Sequence, residues 1–329
     1  MNLLDRARSS RSRACLLTLV LGVFAACSGA PRPTTKSAEN APAPAPAPAP
    51  TPVPVSAPVS APSNVELTYL GVAGWQVRHG EHVLLLDPYF TRKNVDNPDQ
   101  PLTPNLAQID RLAPRKAELI LVGHSHYDHL LDVPTIAERT HAFVAGTQST
   151  LNVARAAHLP QDHLLLAEPT HSFSRGPFSV VPLASLHSLI GVPNAPIPAN
   201  IKLPLPAKAY EEGDTLAYLV DVNGLSILFV DTANFIESAL AGVHPDVLVA
   251  ATGLREKIPE YTCRLLRTLG YPKRVLPNHF DAHWEPIPAP TTPIADEQLA
   301  EIAKFQAEVT QCSPATRVIV PRRFAPITL

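Results

Sequence analysis

Four residues able to bind a metal or move a proton crowd into six positions: His124, His126, Asp128 and His129, in the segment GHSHYDHL at 123–130. The mostly apolar stretch 117–122 leads straight into them, as a buried strand does when it delivers a loop to a site. In an extended chain, residues two apart project to the same side, so His124 and His126 can grip one ion together. Asp128 and His129 then turn toward a second ion. Three imidazoles and a carboxylate at a strand end are costly to desolvate without a partner, and a metal supplies one. Nitrogen and oxygen donors without cysteine suit zinc, with manganese and iron as alternatives.

HSHYDH at 124–129 matches the HxHxDH signature of the metallo-β-lactamase superfamily, which residues 64–329 resemble throughout. The resemblance implies an α/β fold, the αββα four-layer sandwich, and further ligands in a fixed order. After the signature comes a histidine beyond a strand, and VPLASLHS puts His187 there, with His171 as the rival. Next is an aspartate at a strand end that bridges both metals. LSILFVDT offers Asp231, over Asp221 and Asp246, with Val230 where the family more often has glycine. Last is a histidine after a strand and a proline: RVLPNHFD offers His279, with His283 close behind. The implied centre has His124, His126 and His187 on one metal, and Asp128, His129 and His279 on the other. Asp231 lies between them, and Asp128 also orients the nucleophile.

Two divalent ions so held, most simply Zn2+, bring the pKa of a shared water toward ~7 and stabilise the oxyanion formed when it attacks. The expected activity is hydrolysis of an ester, lactone, amide or phosphodiester. LLLDPYF, GHSHYDHL and PNHFDAHW resemble the branch with ascorbate-phosphate lactonases and N-acyl-phosphatidylethanolamine phospholipases D. Asp87 in the first of these is placed to accept a hydrogen bond from a ligand histidine, or else to cap a turn. Asp231 argues against β-lactam hydrolysis, since β-lactamases proper lack a bridging aspartate there. A tethered metal-binding lipoprotein without turnover is the alternative from another class; a complete ligand set argues for the enzyme.

The elements that must position these residues alternate between strands and helices. Residues 65–70, 75–79 and 82–86 read as strands, the last two joined by a hairpin turn around Gly80. Further strands are expected at 117–122, 179–183, 217–222, 226–230, 246–250, 274–276 and 317–320, with the turn Asn223-Gly224 joining one pair. Residues 133–139 and 148–157 suit helices, as does 294–309, whose apolar positions are Leu299, Ile302 and Phe305. The proline-rich stretch 192–206 reads as a long loop able to form a lid or a binding wall.

The 329-residue chain is 45% hydrophobic with a formal charge of −2. Arg6, Arg8, Arg11 and Arg13 precede an apolar run at 16–26, too short for a mature membrane span and matching a secretory signal. Phe24-Ala25-Ala26-Cys27 resembles the lipobox of bacterial lipoproteins, so Cys27 is the expected lipidation site. Residues 1–26 are then a signal peptide, 27–63 a lipidated, Pro/Ala-rich linker and 64–329 the catalytic domain. The linker, with APAPAPAPAPTPVPV at its centre, favours polyproline II and could hold the domain up to ~100 Å from a membrane. Export to the periplasm or cell surface follows, with the lipid anchor as the membrane contact. No basic stripe remains for nucleic acid, so the expected partner is a small-molecule or lipid substrate. Cys263 and Cys312 form either a disulfide or two buried thiols.

Overall fold

The computed structural model describes residues 64–191 and 194–329. The signal segment, Cys27 and the linker lie outside the described residues. Within them, the central strands carry apolar side chains on both faces, bury both, and read as continuous apolar runs. In β1 (Val65–Gly71), β2 (Gly74–His79), β3 (His82–Leu86), β4 (Leu119–Leu121), β5 (Phe143–Gly146) and β6 (Leu164–Leu166), one set of residues faces a second sheet. The other set, with Val83, Leu85, Ile120 and Val144, meets helices. The second sheet holds β7 (Phe173–Arg175), β8 (Phe178–Ala184), β9 (Leu216–Val222), β10 (Leu225–Val230), β11 (Val247–Ala251), β12 (Arg274–Asn278) and β13 (Arg317–Val318). There Ile227, Phe229, Val247 and Val249 pack inward against Leu67, Leu84 and Leu121, while Leu228, Val230 and Leu248 point outward.

Helices cover the two outer faces: α1 (Leu106–Leu112), α2 (Tyr127–Leu130), α3 (Val133–Thr140) and α4 (Gln148–Ala156) on the first sheet, and α5 (Glu237–Leu240), α6 (Tyr261–Thr268) and α7 (Asp296–Cys312) on the second. The result is an αββα sandwich, as the resemblance implied. Among the described residues each sheet has seven strands, ordered β14 (Pro326–Thr328)-β1-β2-β3-β4-β5-β6 and β13-β12-β11-β10-β9-β8-β7. Strand β14 was not foreseen; it returns the chain's last residues to the first sheet, antiparallel to β1.

Several expectations shift at their edges. The strand expected at 117–122 pairs only over Leu119–Leu121. Helix α7 begins at Asp296, and its contact with the core starts at Ile302, so Leu299 stays exposed. Among the described residues, the proline-rich loop does not line the cavity as expected: Ile197 docks on α4 through Ser149 and Asn152, and Ala207, Lys208, Tyr210 and Glu211 wall the cavity. Cys263 on α6 and Cys312 on α7 form a disulfide with their Cα atoms 5.3 Å apart. Among the described residues, no helix is long and apolar enough to cross a membrane.

Candidate metal centre

Strands β3, β4 and β5 run parallel, as do β10, β11 and β12. Strand β8 is antiparallel to β9, which is antiparallel to β10, so β8 and β10 share a direction. Each predicted ligand follows the C-terminal end of one of these strands. β4 delivers the loop that carries His124 and His126 into α2, where Asp128 and His129 lie, and β8, β10 and β12 deliver His187, Asp231 and His279. The structure brings all seven residues together.

Their donor atoms form three overlapping groups, the atoms of each within 4.8 Å of one another: His124, His126 and His187; Asp128, His129 and His279; and His124, His129 and Asp231. His124 Nε2 lies 3.0 Å from His126 Nδ1, and the His187 ring centroid is 4.6 and 4.7 Å from those of His124 and His126. Asp128 Oδ2 is 3.5 Å from His279 Nε2 and 3.8 Å from His129 Nε2. Asp231 Oδ2 is 2.7 Å from His124 Nδ1 and 3.7 Å from His129 Nδ1, so this carboxylate stands between the two triads.

The electrostatics fit cations. Burial, reinforced by neighbouring imidazoles, holds His124 well below the ordinary histidine range. Burial likewise takes His129 well below it, against the pull of Asp128, and lowers His126 to about 4. Neutral imidazoles are what a metal requires. Asp128 remains ionised: burial works against its charge, but His129 and His279 outweigh it and hold the carboxyl well below its usual range. Burial pushes Asp231 up to about 7, and its Oδ1 is buried without a hydrogen-bond partner. A buried carboxylate oxygen without a partner, among imidazoles mostly held neutral, fits a cation ligand.

A beta-lactamase superfamily domain model matches residues 82–280, more than half of the chain and a span that contains every one of these residues. The chain belongs to the metallo-β-lactamase superfamily. It is 28% identical to a metal-dependent hydrolase of Cupriavidus necator, over 82% of this chain and 87% of that one. It is also 28% identical to a metal-dependent hydrolase of Polynucleobacter asymbioticus, over 66% of this chain and 75% of that one. Among solved structures, a metallo hydrolase of the archaeon Ignicoccus hospitalis shares the fold with a TM-score of 0.51, at 19% identity over 80% of this chain and 98% of that one. So does the diiron β-hydroxylase CmlA of Streptomyces venezuelae, with a TM-score of 0.53, at 14% identity over 82% and 55%.

The loop that carries His124 to His129 is tightly braced in this chain. Asp87, at the end of β3 and in the left-handed region (φ 39°), accepts from the Gly123 amide at 2.8 Å through Oδ1. Its Oδ2 lies 2.9 Å from His129 Nδ1, which leaves Nε2 of that ring for a metal. Gly123 itself is required by crowding: a Cβ there would sit 2.1 Å from Asp231 Oδ2 and 2.5 Å from its Cγ. His187 Nδ1 donates to the Ser188 carbonyl at 2.8 Å, again freeing Nε2. The Ser188 hydroxyl lies 2.5 Å from that of Thr232 and accepts from the Ala233 amide at 3.0 Å, so the His187 and Asp231 loops are pinned to each other.

The rivals lie elsewhere. His171 is exposed beside Glu168, Asp221 is an exposed β9 residue, and Asp246 accepts from Ser226. His283 lines the cavity, edge-on to Tyr127 and Trp284, but belongs to none of the metal groups. Sequence reasoning missed the brace behind His279. That residue is itself in the left-handed region (φ 48°) and donates its amide to the Val72 carbonyl. Two positions on, buried Asp281 accepts from Tyr69 Oη at 2.7 Å, from the Val72 amide at 2.6 Å and from Arg92 Nη2 at 3.1 Å. Arg92 also donates to the Ala282 carbonyl at 2.7 Å. Asp132 does the same for the chain after Asp87, accepting from the Phe90 and Thr91 amides. Asp281, inside the PNHFDAHW segment, carried some signal; Arg92 carried none.

Proposed function

We propose that this protein is a binuclear metal-dependent hydrolase. The observation that carries the reading is the position of Asp231, whose carboxylate meets both His124 and His129 and so joins the two triads into one centre. His124, His126 and His187 would hold one divalent ion, and Asp128, His129 and His279 the other, zinc being the simplest match to the donors. When bound, the ions supply Lewis acidity, lowering the pKa of a coordinated water and polarising the scissile group. Asp128, ionised and beside His279, would orient the attacking water. The water oxygen bonds to the electrophilic carbon or phosphorus, and the leaving oxygen or nitrogen departs with a proton.

The fold also hosts a diiron β-hydroxylase, so fold alone does not choose the chemistry. The test is to strip the purified protein, reload it with zinc, manganese or iron, and assay esters, lactones, amides and phosphodiesters, with oxygen uptake in parallel. Two ions per chain and hydrolysis that is lost and restored with metal are expected. Metal binding without turnover would establish the non-catalytic alternative, and oxygen uptake by the iron form would replace hydrolysis.

We also propose that the domain works outside the cytoplasm, anchored through Cys27. The basic and apolar N-terminus supports this, as does the Cys263–Cys312 disulfide, a bond at home in oxidising compartments. Labelling with radioactive palmitate, abolished in Cys27→Ala, is the expected result.

A further inference from the structure

The cavity that opens on the seven residues has a volume of about 690 Å³. Away from the metal groups, its walls are unlike a phosphate site. Lys208 is the only lysine or arginine lining it among the described residues, and its ammonium is paired with Asp99. Besides the buried, Arg92-paired Asp281, three carboxylates line it as well: Glu211, Glu285 and Glu297. Proteins hold phosphates with guanidinium forks, ammonium groups or clustered backbone amides. Here a phosphodiester would meet like charge on the approach.

What the mouth offers instead is apolar. Nine large hydrophobic side chains are exposed among the described residues, and five of them gather here. Ile190, Leu254 and Trp284 line the cavity, while Leu186 and Leu189 flank His187 and Ser188 on the adjoining loop. Such concentration marks a binding surface, unlike scattered surface leucines. The two apolar loops are also tied together, since Lys257 Nζ donates to the Leu189 carbonyl at 3.2 Å. Leu254 holds a left-handed backbone (φ 63°), a costly conformation for a branched residue, and it projects beside the site.

We propose that the centre takes uncharged acyl compounds (esters, lactones or amides) bearing an alkyl or aryl group that docks on Ile190, Leu254 and Trp284, and that it discriminates against phosphodiesters. This rests on the hydrolase reading and narrows it. Water adds its oxygen to the acyl carbon, the acyl–oxygen or acyl–nitrogen bond breaks, and the leaving group takes the proton. Each methylene docked on this surface is expected to raise kcat/KM up to ~4-fold.

The experiment uses the metal-loaded protein with p-nitrophenyl acetate, butyrate and hexanoate and with bis(p-nitrophenyl) phosphate. The expected kcat/KM rises at least ~10-fold from acetyl to hexanoyl and exceeds that for the phosphodiester. Leu254→Ser and Trp284→Ala should each cut the hexanoyl-to-acetyl ratio several-fold with metal content retained, and Glu285→Lys should raise phosphodiester turnover. A flat chain-length series, a preference for the phosphodiester, or a ratio unmoved in both apolar variants overturns the proposal. Methyl ketones of the same chain lengths, titrated by tryptophan fluorescence, separate the two readings. Tighter binding of the longer ketones with no ester turned over would sink the hydrolase and leave the apolar subsite standing; no chain-length preference would sink the subsite.

Discussion

The two sheets furnish the centre in different ways. The first places His124, His126, Asp128 and His129 on one loop and the helix turn that follows it. The second supplies His187, Asp231 and His279 singly, from the ends of β8, β10 and β12. Chain connectivity alone keeps the first four together. The other three meet only because parallel register aligns their strand ends and because remote contacts hold each loop: Ser188 to Thr232, Asp281 to Tyr69, Val72 and Arg92. A contiguous ligand set is thus a local property of the chain, and a dispersed one a property of the whole sandwich. Asp231 is the point where the two contributions join.

The largest effect is therefore expected there. Asp231→Ala removes the carboxylate shared by both triads and should lower kcat/KM by at least ~10³-fold, since a bridging group and its ions contribute several kcal/mol to the transition state. Metal analysis should find fewer than two ions per chain. An enzyme that kept both ions and most of its rate would show that the two contributions do not meet at Asp231. Gly123→Ala reaches the same junction from the other side. Its new Cβ would displace the Asp231 carboxylate from His124, a contact now 2.7 Å long, and a loss of roughly 10²-fold is expected from misplacement of about an ångström. A circular dichroism spectrum like the parent's would assign that loss to the site.

The braces come next, and they contrast the two sheets directly. Asp87→Ala frees the ring of His129 and leaves the Gly123 amide without its acceptor, so metal affinity should fall ~10–100-fold by competitive chelation. Arg92→Met on the other side should cost stability first. It removes the nearer of the two cations beside the buried Asp281 carboxylate, Arg323 remaining at 3.8 Å, a change worth up to about 3 kcal/mol, and should lower kcat/KM by roughly ten-fold through His279. Chemical denaturation beside kinetics reads both. If Arg92→Met weakened metal binding as much as Asp87→Ala while leaving stability untouched, the distinction between local and global positioning would fail.

That distinction also explains what could be read from the residues in order. The strands at 65–70, 82–86, 217–222 and 226–230 were legible because both of their faces are buried, and each ligand stood out because an apolar run stopped at a histidine or aspartate. The contiguous four needed no fold to be recognised. His187, Asp231 and His279 also end apolar runs, but joining them into one set needed the resemblance, because their strands lie far apart along the chain. Arg92 and Asp281 stand 189 positions apart, and their contact exists only once β1, the chain after β3 and the loop after β12 converge. The three-residue strands β6, β7 and β14 were out of reach for another reason: they are defined by partners rather than by any pattern of their own. The Cys263–Cys312 pairing likewise depends on α6 packing beside α7.

The smallest effect concerns the metal-free protein under acid. Burial lowers His124, His126, His129, His187 and His283, His126 to about 4, so the folded state refuses protons that the unfolded chain accepts below about 6.5. Burial raises Asp87, Asp132 and Asp231, the last two to about 6 and about 7, and these carboxyls take up protons in the folded state that the unfolded chain does not yet bind. His279, lowered by burial but raised more by Asp128, keeps its proton in both states over most of the acid range. The lowered Asp128 and Asp281 refuse protons only toward its lower end. Five groups against three thus leave the unfolded state binding more protons between about pH 6 and 4. Stability should therefore fall as pH falls through that window, each net proton tilting it by about 1.4 kcal/mol per pH unit. Thermal melts of the stripped protein should show Tm dropping several degrees from about pH 6 to 4. His126→Gln, from the contiguous set, removes one of the five and should flatten the slope. Asp231→Asn, from the dispersed set, removes one of the three and should steepen it. Slopes that moved in the same direction in both variants would mean that His126 and Asp231 do not bind protons in opposite states of the chain.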